Sequence, residues 1–134
     1  MEGIKGAQVT AAAIFLARSG TTKNAIKDYL ESTFGYNLSE PLEELRTRYR
    51  FDVSCQGTVP PALIAFLDSE DYEDAVRKAI SLGGDSDTLA CIAGGIAHAF
   101  YGGVPKHIKN RVYDFLDDEL KSVVREFCKR YKCE

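Results

Sequence analysis

The 134-residue sequence predicts an all-α fold, a multi-helix bundle. Three observations carry that expectation. Apolar residues recur with the 3.6-residue period in nearly every segment. No run alternates apolar and polar residues between turn signals, as a half-buried strand would. Capping residues and glycine or proline breaks punctuate the chain at helix-length intervals. A chain of this length is one domain long, 1–134, and buries roughly two-thirds of its unfolded surface.

The elements follow in order. Ile4 to Arg18 is rich in Ala, carries Val9, Ala13, Leu16 and Ala17 at helical spacing, and stops at Ser19-Gly20. Thr21 or Thr22 caps a second helix to about Phe34. Gly35 to Leu38 is a break, and Ser39 with Pro41 opens a short helix to about Tyr49. Arg50 to Gly57 lacks a clean period and reads as a long loop, with Thr58, Pro60 and Pro61 starting a helix to Leu67. Asp71 opens a helix with an acidic first turn that ends at Leu82. Leu89, Ile92, Ala93, Ile96, Ala97 and Phe100 mark a strongly apolar helix, apolar on nearly every side, expected at the centre with Cys91 in its core. Gly102-Gly103 ends it, Pro105 starts the next helix, and Asp117-Asp118 precedes a last amphipathic one to about Lys132.

Composition narrows the function classes. Hydrophobic residues make up 45% of the chain and charged ones 28%, with four prolines, which is the profile of a globular domain. The net charge of −3 argues against nucleic acid as a main partner, because phosphate binding relies on clustered cations. Lys121 to Lys132 is interleaved with Val123, Val124, Phe127 and Tyr131 and reads as a solvated helix face. No basic-plus-apolar leader and no apolar run of about 20 residues is present, so no membrane is expected and a cytoplasmic address is. Cys55, Cys91, Cys128 and Cys133 show no metal or disulfide spacing and are expected as thiols. His98 and His107 fit no metal motif. His98 is read as packed or partly exposed, Tyr101 as core, and Lys5 and Lys23 as solvated.

The stretch that carries chemistry is Gly83-Gly84-Asp85-Ser86-Asp87-Thr88, between one helix end and the next helix start. Side chains at i and i+2 do not share a helix face, so Asp85 and Asp87 converge only at a turn or a helix start. The paired glycines permit such a turn. Two carboxylates and a hydroxyl are hard oxygen donors suited to Mg²⁺ or Mn²⁺, though too few to enclose one. The plainer reading is punctuation: Gly83 ends one helix, Asp85 or Ser86 caps the next, and Asp87 favours its dipole. The two readings are compatible.

Gly83 to Ala90, followed by Ala93-Gly94-Gly95-Ile96-Ala97 and Tyr101-Gly102-Gly103-Val104-Pro105, resembles the ADP-ribosylglycohydrolase family, which includes enzymes that remove ADP-ribose from modified protein side chains and also the J1 crystallins. Glu2-Gly3-Ile4-Lys5-Gly6-Ala7 and Phe51 to Pro60 are similar to two upstream family segments. The resemblance implies an orthogonal helical bundle holding two Mg²⁺ ions, Mn²⁺ in some members, that bind ADP-ribose or ADP-ribosylated protein. Carried over by that resemblance, Asp85, Asp87 and Thr88 are metal ligands, and Val53, Ser54, Cys55 and Gly84 line the substrate.

The departures from the family pattern shape the remaining expectations. Family enzymes are about twice as long, and their first half supplies a Thr-Asp-Asp ligand cluster, an acid and a diphosphate loop that this sequence lacks. Met1 stands where the family has proline. The chain therefore reads as a C-terminal half, natural or truncated, incomplete for catalysis alone, with a separately encoded N-terminal half among its candidate partners and weak metal binding by itself. A non-catalytic structural or interaction module is the alternative. Uncovered apolar faces, such as that of Ile4 to Leu16, predict a homo-oligomer, a two-fold dimer being the simplest.

Overall fold

The computed structural model describes residues 1–132, and the expectation for Cys133 lies outside them. The chain is an all-α bundle with no strand among the described residues. Among the described residues there are eight helices, α1 (Glu2–Arg18), α2 (Lys23–Phe34), α3 (Leu42–Arg48), α4 (Cys55–Asp68), α5 (Tyr72–Ser81), α6 (Ser86–Tyr101), α7 (Lys106–Phe115) and α8 (Asp118–Tyr131). They divide into two compact units, α1 to α6 up to Gly102, and α7 with α8 from Gly103 onward.

In the first unit α6 is the central element, packed against α1, α4 and α5. Val9, Ile26, Leu30, Leu63, Phe66, Leu89 and Ile96 are its largest fully buried side chains. Each removes enough apolar surface from water to contribute about 1.5–3 kcal/mol. Gly6 lets α1 approach α4, since a Cβ there would lie 3.2 Å from that of Cys55 and 3.3 Å from a Val59 methyl. The second unit has no buried residue in either helix. There Asp117 caps α8 by accepting the Leu120 N–H at 2.8 Å.

Cap chemistry places several boundaries where the sequence predicts them. Thr22 accepts the Ala25 N–H at the start of α2, and Gly35 ends that helix in the left-handed region. Asp71 accepts the Asp74 N–H at 2.8 Å, while the Asp74 carboxylate accepts the N–H of Glu70 at 2.9 Å, a reciprocal pair that fixes the start of α5.

Other expectations are corrected. Pro60 and Pro61 lie inside α4 and do not begin it. The helix starts at Cys55, three residues before Thr58, because Ser54 caps it, accepting the Gly57 N–H at 3.1 Å. The preceding loop is therefore shorter than 50–57. Pro60 and Pro61 have no N–H to give the Gln56 and Gly57 carbonyls four residues back, so the first turn of α4 is bonded to the rest more sparsely than an ordinary helix. Ser39 does not cap α3, whose N-cap position is Pro41. Instead Ser39 Oγ and the Leu38 N–H both turn back to the Glu31 carboxylate of α2, at 3.2 and 2.8 Å.

Cys91 is exposed, not core. Leu89, Ala93, Ile96 and Ala97 define the buried face of α6, and a residue two positions from Leu89 and Ala93 points the other way. With Gly95 also exposed, the central helix has one open side, contrary to the expectation of burial all round. Neither lysine read as solvated is so. Lys5 lies 4.1 Å over the Tyr36 ring. Lys23 donates to the Leu67 carbonyl at 3.2 Å, to the Ser69 hydroxyl at 3.3 Å and to the Ser69 carbonyl. The Phe66, Phe100 and Tyr101 rings stand 5.2, 5.6 and 5.3 Å from it. The ammonium thus meets the negative end of α4 and three aromatic faces, both of which favour a cation. Tyr101 is half-buried and donates to the Ser69 carbonyl at 2.8 Å, and His98 is partly exposed.

Candidate functional site

The turn before α6 is built by its two glycines. Gly83 and Gly84 have φ of +75° and +62°, the left-handed region in which a side chain is strained. Only Gly84, though exposed, also lacks room for a side chain. A Cβ on it would stand 2.9 Å from Tyr49 Cε1 and 3.2 and 3.3 Å from Phe51 Cα and N, whereas Gly83 faces open space. The segment from Tyr49 to Phe51 is thereby laid directly against the turn that carries Asp85.

Asp85 occupies the N-cap position of α6, and its carbonyl accepts the Leu89 N–H at 3.1 Å. Its carboxylate makes no capping hydrogen bond, although Asp is among the preferred capping residues. The side chain instead meets that of Asp87. Hydrogen bonding between the two carboxyl groups is the largest influence on Asp87, joined by the Thr88 N–H, which donates to Asp87 Oδ1 at 2.9 Å. Together they hold the Asp87 carboxyl below its ordinary range. Asp85 stands at the cap and Asp87 in the first turn of α6, and the influence of Asp85 on Asp87 puts the two carboxyl groups within hydrogen-bonding reach. Thr88 follows on the exposed side of the same turn. Among the described residues, no group of three or more His, Cys, Asp and Glu comes together as a metal cage.

The segment expected to line a substrate has divided roles. Val53 is 76% exposed and free to touch a ligand. The hydroxyl of Ser54 is committed to capping α4, and its N–H donates to Asp52 Oδ1 at 2.7 Å. Cys55 is half-buried against Gly6 of α1. Gly84 touches Tyr49 and Phe51, so this segment and the acidic turn are neighbours in space as well as members of one motif set.

Two residues at the candidate site, Asp52 and Tyr49, escape a reading of the sequence, as does Tyr36 beside Cys55. Asp52 lies over the first turn of α4, held there by its hydrogen bonds to Ser54, which lower its carboxyl pKa. Its carboxylate fills the space beside Gly57, where a Cβ would come within 2.0 Å of Asp52 Oδ2. The Asp-x-Ser spacing of an Asx turn was a legible signal for it. Tyr49 is buried beside Gly84, and burial first, then the Asp52 and Asp85 carboxylates, push its phenol pKa up against an opposing Thr58 hydroxyl. Tyr36 is likewise raised by burial, with Glu2 and Cys55 adding to it. No sequence pattern marks either tyrosine.

Against this geometry the relationship to known proteins can be placed. The sequence matches the ADP-ribosylglycohydrolase family over residues 1–133. The chain belongs to that family. Within it, the chain is similar to an ADP-ribosylarginine hydrolase, Tri1, of Pseudomonas putida (strain GB-1), being 30% identical in an alignment of 106 residues that covers 75% of this chain. It spans 29% of that relative's length. No solved structure matches the chain.

Proposed function

We propose that the chain contributes to an ADP-ribose-hydrolysing site in which Asp85, Asp87 and Thr88 would hold a divalent cation, Mg²⁺ or Mn²⁺. What supports this reading is the hydrogen-bonding reach between the Asp85 and Asp87 carboxyl groups at the start of α6, together with the lack of a capping bond on Asp85. Two carboxylates that face each other repel when both are charged, and a hard cation relieves that repulsion while using both as donors. The donor set therefore fits such an ion. When bound, the ion supplies the positive charge that orients ribose hydroxyls and activates water.

The residues of this chain do the remaining work. Asp85 and Asp87 present negative oxygens on one side of the turn, and Gly84 keeps that turn tight against Tyr49 and Phe51. Val53 offers an exposed apolar edge for a ligand, while Ser54 and Cys55 fix the backbone that carries it. The substrate class is an ADP-ribosylated protein side chain, with arginine favoured by the name of the Tri1 relative. Two carboxylates and one hydroxyl leave a six-coordinate ion needing oxygens from water or another protein segment. That donor count also favours a second reading, a helical module that keeps the scaffold and not the reaction.

Calorimetric titration with ADP-ribose, with and without Mg²⁺, separates the two. The expected result is binding that requires Mg²⁺ and disappears in the Asp85→Ala, Asp87→Ala double variant. Binding that is equal without metal and in the double variant would remove the cation from the account and leave the scaffold reading in place.

A further inference from the structure

Tyr49 stands at the end of α3 and is 8% exposed, yet its buried hydroxyl has no hydrogen-bond partner among the described residues. A buried hydroxyl in that state has given up water for nothing, and phenylalanine would fill the same space without that penalty. The ring itself has a packing role, with Cε1 against Gly84. The hydroxyl sits on the next ring carbon, so it lies beside the Gly84 turn. It is within electrostatic reach of the Asp52 and Asp85 carboxylates, and the neighbouring Thr58 hydroxyl gives its own proton to the Asp52 carbonyl at 3.0 Å.

Asp85, for its part, has a carboxylate that no capping bond from α6 orients. Ligating carboxylates work well only when an outer donor fixes their rotamer, and such donors are as consequential as the ligands. A buried donor without a hydrogen-bond partner and a carboxylate without a capping bond thus stand next to the same glycine.

We propose that the Tyr49 hydroxyl is a positioning donor for the cation site, holding the Asp85 carboxylate turned toward Asp87 through one bridging water. This rests on the reading that Asp85 and Asp87 bind a divalent cation.

Titration of Mn²⁺ into the full chain, read by the electron paramagnetic resonance of the free ion, tests it alongside urea unfolding without metal. Tyr49→Phe is expected to weaken Mn²⁺ binding about tenfold and to leave metal-free stability unchanged or raised. Tyr49→Leu, which also removes the ring from Gly84, should lose both affinity and stability. If Tyr49→Phe binds Mn²⁺ as the parent chain does while Asp85→Asn abolishes binding, the hydroxyl has no such role and the cation reading stands. If the parent chain takes up no Mn²⁺, or Asp85→Asn takes up as much, both are overturned.

Discussion

Replacing Gly84 by alanine tests how the acidic turn is held, and Gly83 next to it serves as an internal control. Both residues sit at positive φ, +62° and +75°, so either substitution forces a side chain into the left-handed region at about 1–2 kcal/mol. Gly83→Ala meets no atom within 4 Å and should stop there. Gly84→Ala must in addition push its methyl into Tyr49 Cε1 at 2.9 Å and into the Phe51 backbone at 3.2 and 3.3 Å. The Phe51 backbone cannot rotate away as a side-chain tip could, so overpacking adds about 1–3 kcal/mol. The expected totals are about 1–2 kcal/mol for Gly83→Ala and about 2–5 for Gly84→Ala, a large part of the about 5–15 kcal/mol that domains possess. Urea unfolding followed by helical circular dichroism at 222 nm reads the difference directly. Equal losses in the two variants, or a Gly84→Ala protein as stable as the parent, would refute the claim that the Tyr49 to Phe51 segment is packed against the turn.

Three further outcomes are expected. Gly57→Ala should not give the gain of about 0.5–1 kcal/mol usual for a helix interior, because its methyl displaces the Asp52 carboxylate; in an Asp52→Ala background the gain should return, which a double-mutant cycle in urea measures. Lys78 bridges Asp74 at 2.8 Å and Asp68 at 2.9 Å on a partly exposed surface, so Lys78→Met should remove up to about 1 kcal/mol. Burial raises the Asp74 carboxyl, but Lys78 and the Glu70 N–H outweigh it and leave it lowered, while the same two carboxylates raise Lys78 against its own desolvation. The lowered acid stabilises above its unfolded pKa near 4 and loses that as pH falls through the folded value; the raised base stabilises below about 10.5 and loses that as pH rises beyond it. The Lys78→Met deficit should therefore be flat from about pH 5 to 9 and shrink on both sides, and a deficit that grows below pH 4 would contradict it. Finally, Ile4 and Phe15 remain 57% and 69% exposed on α1, so concentration-dependent self-association is expected by light scattering, weakened by Phe15→Glu; a monomer at every concentration would count against it.

Most helices were legible because their signals are local. Thr22, Asp71 and Gly35 each act on groups within four residues, and α2 and α5 begin or end where those residues say. The misplacements come from interactions that sequence spacing does not display. Pro60 and Pro61 look like a helix start until Ser54 and Asp52 are found to cap the chain earlier. Ser39 looks like a cap until Glu31, eight residues back, claims it. Lys23 looks solvated until α4 delivers its carbonyl end 44 and 46 residues downstream in sequence. Cys91 departs from expectation for a simpler reason: an apolar composition suggests burial all round, whereas the buried residues of α6 define one face only. In the site, Asp85, Asp87 and Thr88 stood out because their side chains are chemically loud and glycine-flanked. Tyr49 did not, since an aromatic at a helix end is unremarkable until its hydroxyl is found alone.

The prolines within α4 divide that helix into two mechanical parts. Residues 62–66 are buried at the heart of the first unit, while 55–57 are tied to the residues after them by few main-chain bonds and to the preceding loop by the Ser54 and Asp52 side chains. Amide protons at Gly57 and Thr58 can then exchange with solvent through small local openings that leave the protected interior of the same helix closed. The segment hung on that first turn can therefore change shape at little expense to the body of the bundle.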